Sequence, residues 1–327
     1  MKSMARASAP AKVILLGEHF VVYGEPAIVL AIDMRATATA EKRTDGKILI
    51  ESRGIGASGF FVDDKFFPKV GGEEAERKLE PLYVIVKEIK ERTDFYEGVS
   101  LRIESSIPIA AGLGSSAAVS VASAAALCSL FNLDTSEDNI FKLAFDAEKI
   151  IHGNPSGVDP AISTYGGVLW YCRSKPIRRL NVKANLPLVI GNTRKERSTG
   201  ELVAGVGALL KRYPRIIGRI IKAGGEIVKR SLHALKKGDL KMLGELMNID
   251  HELLCSIGVS CRELDNLVYA AREAGAYGAK LTGAGGGGCM IALTPPERIM
   301  DVADAISEAG GEVLVTRKTD DGVIIEG

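Results

Sequence analysis

The chain has 327 residues, of which 46% are hydrophobic, 25% charged and 6% aromatic, a composition that excludes a disordered or fibrous protein. Lysine and arginine total 42 against 41 aspartates and glutamates, a formal charge of +1, so no global field attracts nucleic acid or an anionic membrane and any bound anion must meet a local site. The length suggests about two domains, and five cysteines without a CxxC pair, Cys128, Cys172, Cys255, Cys261 and Cys289, read as reduced thiols of a cytoplasmic protein.

The first apolar run, Val13 to Leu16, meets Gly17-Glu18-His19 too soon for a signal peptide. Residues 11–16 and 27–33 are short β-rich runs around a polar turn, Gly17 to Pro26, and 35–52 reads as a hairpin about Asp45-Gly46. Residues 54–75 are glycine-rich and irregular. Leu82, Ile85, Val86 and Ile89 behind Pro81 share one face and predict an amphipathic helix. A strand at 98–105 leads through Pro108 to Ser116 into an Ala-rich helix ending near Phe131. Its Ala117 to Leu130 core falls short of the ~20 strongly apolar residues of a membrane span and reads as an internal packed helix. A helix over 136–151, ended by Gly153-Asn154-Pro155, a loop from Asn154 to Asp159 and a strand near 166–172 complete the first half.

Five basic residues and two prolines in 173–187 mark a boundary, which divides the chain into 1–175 and 185–327. Helices follow near 199–211, 215–236, 239–256 and 261–274, the last opened by a Ser260-x-x-Glu263 capping box. Two strands flank the loop Thr282 to Gly288, Thr294-Pro295-x-Glu297 caps a final helix, and strands near 312–317 and 322–326 close the sequence.

Two glycine loops carry the chemical signal. Gly112-x-Gly114-x-x-Ala117 resembles a dinucleotide fingerprint, with Asp134 where a ribose-binding acid would lie. Asp134 precedes a helix rather than ending a second strand, so capping explains it. No Walker A loop is present, because Gly46-Lys47 lacks the spaced glycine and the hydroxyl residue. What remains are two glycines and two serines at a helix N-terminus, which is anion-binding chemistry. The plain alternative is a turn capped by Ser115 or Ser116. Thr282 to Gly288 holds five glycines in six residues, a loop built for close backbone approach or simply a flexible turn.

Three segments taken together, Pro10 to Gly24, Pro108 to Ala118 and Lys280 to Cys289, resemble the GHMP kinase superfamily of small-molecule kinases, and the resemblance spans positions 10 to 290. Within it the chain most resembles the mevalonate kinases, through Lys12 with Glu18-His19, through Glu148-x-x-x-His152-Gly153-Asn154-Pro155-Ser156-Gly157-Val158-Asp159, and through Ser198-Thr199 leading into Leu202 to Val206. The resemblance implies an α+β, two-domain fold, with a ribosomal-protein-S5-domain-2-like N-terminal domain and a ferredoxin-like C-terminal domain. It implies transfer of the ATP γ-phosphate to the 5-hydroxyl of mevalonate, with Pro108, Gly112, Leu113, Gly114, Ser115 and Ser116 around the ATP phosphates.

By the same resemblance Ser116 and Glu148 would hold Mg²⁺, Asp159 would be the catalytic carboxylate and Lys12 its partner facing the transferred phosphate. Glu18, His19, Thr199, Arg197 and Gly285 would meet the substrate. A hydroxyl and one carboxylate suit Mg²⁺, which keeps phosphate and water ligands, and phosphoryl transfer asks for positioning and cations more than covalent help. The chain departs from the family at Thr193-Arg194-Lys195-Glu196-Arg197-Ser198, where mevalonate kinases tend to show Val-Pro-Arg, so fine substrate preference is open. Another kinase of the superfamily, such as a mevalonate 3-kinase or phosphomevalonate kinase, and a non-catalytic ligand-sensing homologue are the alternatives. Neither nucleic acid nor membrane is expected as a partner, and a homodimer is left open.

Overall fold

The computed structural model describes residues 3–93, 97–108, 111–152, 156–173, 175–195 and 198–326, without the side chains of 150–152. Its first half is an antiparallel-rich sheet covered by helices. β1 (Met4–Leu16) pairs with β2 (Ala27–Arg43), β2 with β6 (Gly98–Ser105), and β6 runs parallel to β3 (Ile48–Ser52), which continues to β4 (Ala57–Val62) and β5 (Lys65–Val70). The predicted hairpin of 35–52 is therefore not formed: β6 inserts between its two arms. The irregular stretch expected at 54–75 is instead the β4–β5 hairpin.

Small side chains set the packing of this half. Ala5, Ala7, Ala9 and Ala11 alternate along β1 and Ala36, Ala38 and Ala40 along β2, all buried, which is the period-2 pattern of a sheet face. Against them lies α2 (Ser115–Leu130), buried along nearly its whole length from Ala117. Alanine meeting alanine lets helix and sheet approach closely, so packing density is reached without long side chains. α1 (Glu74–Glu91) buries Leu82, Ile85, Val86 and Ile89 as predicted, although it starts ahead of Pro81 and carries that proline inside. α3 (Glu137–His152) and α4 (Val158–Tyr165) complete the layer, α4 beginning at the end of the loop expected at 154–159 and filling the gap before the strand expected near 166–172.

The second half is a four-stranded sheet in the order β10 (Gly278–Leu281), β11 (Cys289–Leu293), β9 (Pro187–Asn192), β12 (Glu312–Arg317), antiparallel throughout. α5 (Thr199–Arg212), α6 (Pro214–Lys237), α7 (Leu240–Ser256), α8 (Arg262–Glu273) and α9 (Ile299–Glu308) accompany it. The capping box at Ser260 is not formed. Cys261 precedes α8 without a side-chain cap, and the Ser260 hydroxyl donates to Asp265. Thr294 likewise caps nothing, its buried hydroxyl donating to the Ala292 carbonyl.

The halves share a core, since one cluster of buried side chains runs from Val13 and Ala122 to Leu188, Val228 and Ile291. β7 (Val168–Tyr171) extends the first sheet beside β2 and is joined by β8 (Arg178–Leu180), while β13 (Ile324–Glu326) returns from the second half to pair with β1. Among the described residues no helix is long and apolar enough to cross a membrane.

Candidate active site

The first glycine loop lies directly on Lys12. The Lys12 amide donates to the Leu113 carbonyl at 2.9 Å. Gly114 stands before α2 at φ 75°, ψ 26°, and a Cβ there would come within 2.7 Å of Lys12 Cγ. Both the left-handed backbone and the close approach require glycine. No side chain caps α2 at this residue, so the serine-capped turn is not what the loop forms. Ser115 is half-buried and Ser116 exposed. The first amides of α2, at the positive end of a sixteen-residue helix, are left to meet an anion. Pro108 is half-buried ahead of the loop.

Beneath the loop, Lys12 Nζ lies 3.1 Å from Asp159 Oδ1, the lysine side chain 8% exposed and the aspartate 31%. Asp159 occupies the first turn of α4, behind Gly157 at φ 72°, where the helix dipole favours a carboxylate. A Cβ on Gly157 would press on the Phe145 ring at 2.9 Å, so the turn is packed against α3. Glu148, on the same helix, completes the cluster. Its Oε2 is buried without a hydrogen-bond partner among the described residues. Burial first, and then the charge of Asp159, push its carboxyl up to about 7, while Lys12 acts in the opposite direction. A desolvated carboxylate oxygen with no donor, beside a second carboxylate, fits a hard divalent cation that prefers oxygen ligands. The exposed Ser116 hydroxyl is a second oxygen of the right type.

The turn after β1 forms another wall. Gly17 takes φ 99°, and a Cβ there would stand 2.5 Å from the Pro26 carbonyl. His19 also has a left-handed backbone, φ 59°, which costs a non-glycine residue energy that its surroundings must supply. Its Nε2 lies 2.7 Å from the Ala284 carbonyl, a contact that places the ring proton on Nε2. Ile14 exchanges two hydrogen bonds with the Thr282 hydroxyl, at 3.1 and 2.9 Å. The N-terminal turn and the second glycine loop are thus fastened together.

Glu18, expected on the pocket wall, sits behind it instead. The residue is 1% exposed and Oε1 meets Lys280 Nζ at 2.5 Å. The second glycine loop uses its glycines for approach to its own half: a Cβ on Gly285 would overlap the Val259 carbonyl, and the Gly286 and Gly288 amides donate to Val259 and Lys195 at 2.9 and 3.1 Å. Thr199 is exposed as the first residue of α5, behind the Ser198 cap that accepts from the Glu201 amide. Arg197, named from the resemblance, lies outside the described residues, as do Gly153-Asn154-Pro155. Arg194 and Lys195 form exposed pairs with Glu312 and Glu263 at 3.3 and 2.9 Å, as solvated-loop residues do.

Sequence reasoning gave no role to Lys280, Asp250 or Thr282. A signal for two of them exists. Lys280 interrupts the otherwise uncharged Gly278-Ala279-Lys280-Leu281, and Asp250-His251 falls on the helix face of Met247 and Leu254, where only apolar residues are expected.

Residues 81–167 match the family of GHMP kinases N terminal domain, and residues 231–312 that of GHMP kinases C terminal. The chain is 43% identical over 328 residues to a mevalonate kinase of Thermococcus sibiricus, covering 98% of each chain. It is 42% identical to that of Pyrococcus abyssi, covering 100% of this chain and 99% of the other. In three dimensions it resembles the L. major mevalonate kinase crystallised in complex with R-mevalonate, with a TM-score of 0.85, 27% identity and 98% coverage of both chains. On sequence and fold together, the chain belongs to the mevalonate kinase family of the GHMP kinases.

Proposed function

We propose that the protein transfers the γ-phosphate of ATP to the 5-hydroxyl of (R)-mevalonate, giving 5-phosphomevalonate for isoprenoid synthesis. The observation that carries this reading is the Lys12–Asp159 pair at 3.1 Å directly under a glycine loop at a helix N-terminus. Phosphoryl transfer requires an oriented nucleophile, cations along the phosphate and exclusion of water, and little else. Asp159 Oδ accepts the hydrogen bond, and then the proton, of the acceptor hydroxyl. Lys12 orients that carboxylate and offers its remaining N–H groups to the transferred phosphoryl oxygens. The amides that follow Gly112 and Gly114 receive the non-transferred phosphates, with Leu113, Ser115 and Pro108 shaping the loop.

Ser116 and Glu148 would hold Mg²⁺, which supplies charge neutralisation on the phosphate oxygens when bound. His19, with its ring anchored to the second glycine loop, and Thr199, exposed at the start of α5, are read as contacts to the acceptor, with Arg197 meeting its carboxylate. Gly285 serves the same wall through backbone shape. The chain is read as an ATP-binding half, residues 1–175, and an acceptor half, residues 185–327, with its tail strand returning to the first sheet. Its odd number of unpaired cysteines supports a cytoplasmic location.

The test is ADP release by the purified protein with Mg-ATP and mevalonate, phosphomevalonate, galactose or homoserine, the phosphorylated position located by ³¹P NMR. The expected result is turnover of order 1 s⁻¹ or faster on mevalonate alone, giving the 5-phosphate. A 3-phosphate, or turnover on another alcohol only, overturns the substrate assignment; no turnover on any of them overturns the kinase reading.

A further inference from the structure

Lys280 is a long polar side chain that is wholly buried. Its Nζ lies 2.5 Å from Glu18 Oε1 and 3.4 Å from Asp250 Oδ2, and donates to the Leu281 carbonyl at 2.6 Å. Glu18 is 1% and Asp250 0% exposed. The second oxygen of Glu18 and both oxygens of Asp250 lack a hydrogen-bond partner among the described residues. Two carboxylates and one ammonium in a dry interior are a poor source of stability, and apolar replacements of equal volume commonly match or exceed such triads. Burial pushes the Glu18 carboxyl upward and Asp250 up to about 7, while Lys280 acts on both in the opposite direction.

The triad does have a geometric consequence. Its members come from the turn after β1, from α7 and from β10. Glu18 immediately precedes His19, whose backbone is left-handed. Lys280 lies two residues before Thr282, which binds Ile14, and four before Ala284, which binds the His19 ring. Three contacts in succession thus hold the turn to the glycine loop, and the ion pair is the innermost. We propose that Lys280 and Asp250 are positioning residues for the phosphate acceptor: Asp250 holds the Lys280 ammonium, Lys280 holds Glu18, and Glu18 fixes His19 in the geometry that meets the acceptor alcohol. This rests on the reading of His19 as an acceptor contact. ATP binds at the other glycine loop, so the triad acts on one substrate and not the other.

The experiment compares steady-state constants for both substrates in the full chain, with thermal melting as the check on folding. The double variant Glu18→Gln/Lys280→Met removes both charges at nearly constant volume. The expected result is a folded protein whose KM for mevalonate rises at least tenfold while its KM for ATP stays within about threefold. Asp250→Leu leaves the Glu18–Lys280 pair in place, and its expected effect is a smaller rise in the same KM alone, reversed largely in Asp250→Asn, which keeps the shape of the aspartate and an oxygen to face Lys280 Nζ. A mevalonate KM within twofold of wild type in the double variant, or in Asp250→Leu if the double variant does not fold, overturns the proposal and reduces the triad to charge balance. Equal rises in both KM values overturn it as well. If the wild type prefers another alcohol, the same comparison is made on that alcohol, so an error in the substrate is told apart from an error in the positioning role.

Discussion

An ammonium 3.1 Å from a carboxylate contributes little to folding, because the aspartate is a third exposed and water screens the pair. Its value is orientation. Replacing Asp159 by Ala removes the group that receives the acceptor proton, and kcat is expected to fall by about 10² or more with ATP binding little changed; a rate within a few-fold of wild type would remove Asp159 from the reaction. Glu148 answers to a different measurement. Its orphaned oxygen is the feature that suits a cation, so Glu148→Gln is expected to move the midpoint of a Mg²⁺ titration of activity at least tenfold higher, and an unchanged midpoint would separate it from the metal. Both carboxylates were legible in sequence only as members of a motif. Taken alone, Asp159 reads as a turn residue before a proline and Glu148 as a solvated face near a helix end, because nothing local shows that α3 and α4 bring them together beside Lys12.

At the scale of elements, legibility followed periodicity and failed where pairing was non-local. α2, α3 and the four helices from α5 to α8 are amphipathic, strongly buried or cleanly bounded, and their positions could be read to within a few residues. The β2–β6–β3 order could not, since a strand inserted from fifty residues downstream leaves no trace in the two strands it separates. The β4–β5 hairpin was obscured by glycines around it, although its own signal was present: Asp63 and Asp64 both take positive φ, 47° and 58°, as a two-residue hairpin turn requires, and Phe61 pairs with Phe66 across it at 4.9 Å between ring centroids.

The α7–α8 contact offers a prediction of its own. His251, Cys255 and Asp265 have metal-ligand character and lie close together, but the Leu281 amide donates to His251 Nδ1 at 3.3 Å. The ring proton is therefore on Nε2, 3.3 Å from Asp265 Oδ1, where a metal would have to sit. The group holds a proton, not an ion. Burial, with Arg272 and Lys280 adding to it, lowers the His251 pKa to about 4 from 6.5. The folded protein then binds fewer protons than the unfolded chain between these values, so the contribution is fully present above pH 6.5 and is lost as pH falls toward 4, at up to about 1.4 kcal/mol per unit. His251→Gln keeps an acceptor for the Leu281 amide and removes the titration. The stability lead of wild type over this variant is expected to shrink between pH 7 and pH 4.5 in denaturant melts; a constant lead would show that His251 does not titrate in this range.

Across the whole molecule, the proposed site draws on both halves. Lys12, the first glycine loop, Glu148 and Asp159 belong to the first sheet and its helices, while the turn at His19 takes its geometry from a loop more than 260 residues away in sequence. The Thr282 hydroxyl is the simplest handle on this junction. It accepts from the Ile14 amide and donates to the Ile14 carbonyl, just ahead of the point where β1 shifts register against β2. Thr282→Val keeps the volume and removes both bonds, leaving a part-buried amide and carbonyl unpaired, which costs about 1–3 kcal/mol. Thr282→Ser keeps the hydroxyl and is expected to recover most of that loss in urea unfolding. If the valine variant were as stable as wild type, the seam would be held by the ion pair, the His19–Ala284 bond and the shared core, and the Thr282 hydroxyl would have to be explained by the acceptor site it adjoins. A loss that serine restores, accompanied by a raised KM for mevalonate in both unfolding-resistant conditions and at low temperature, would instead show that the same seam that joins the halves also sets the pocket.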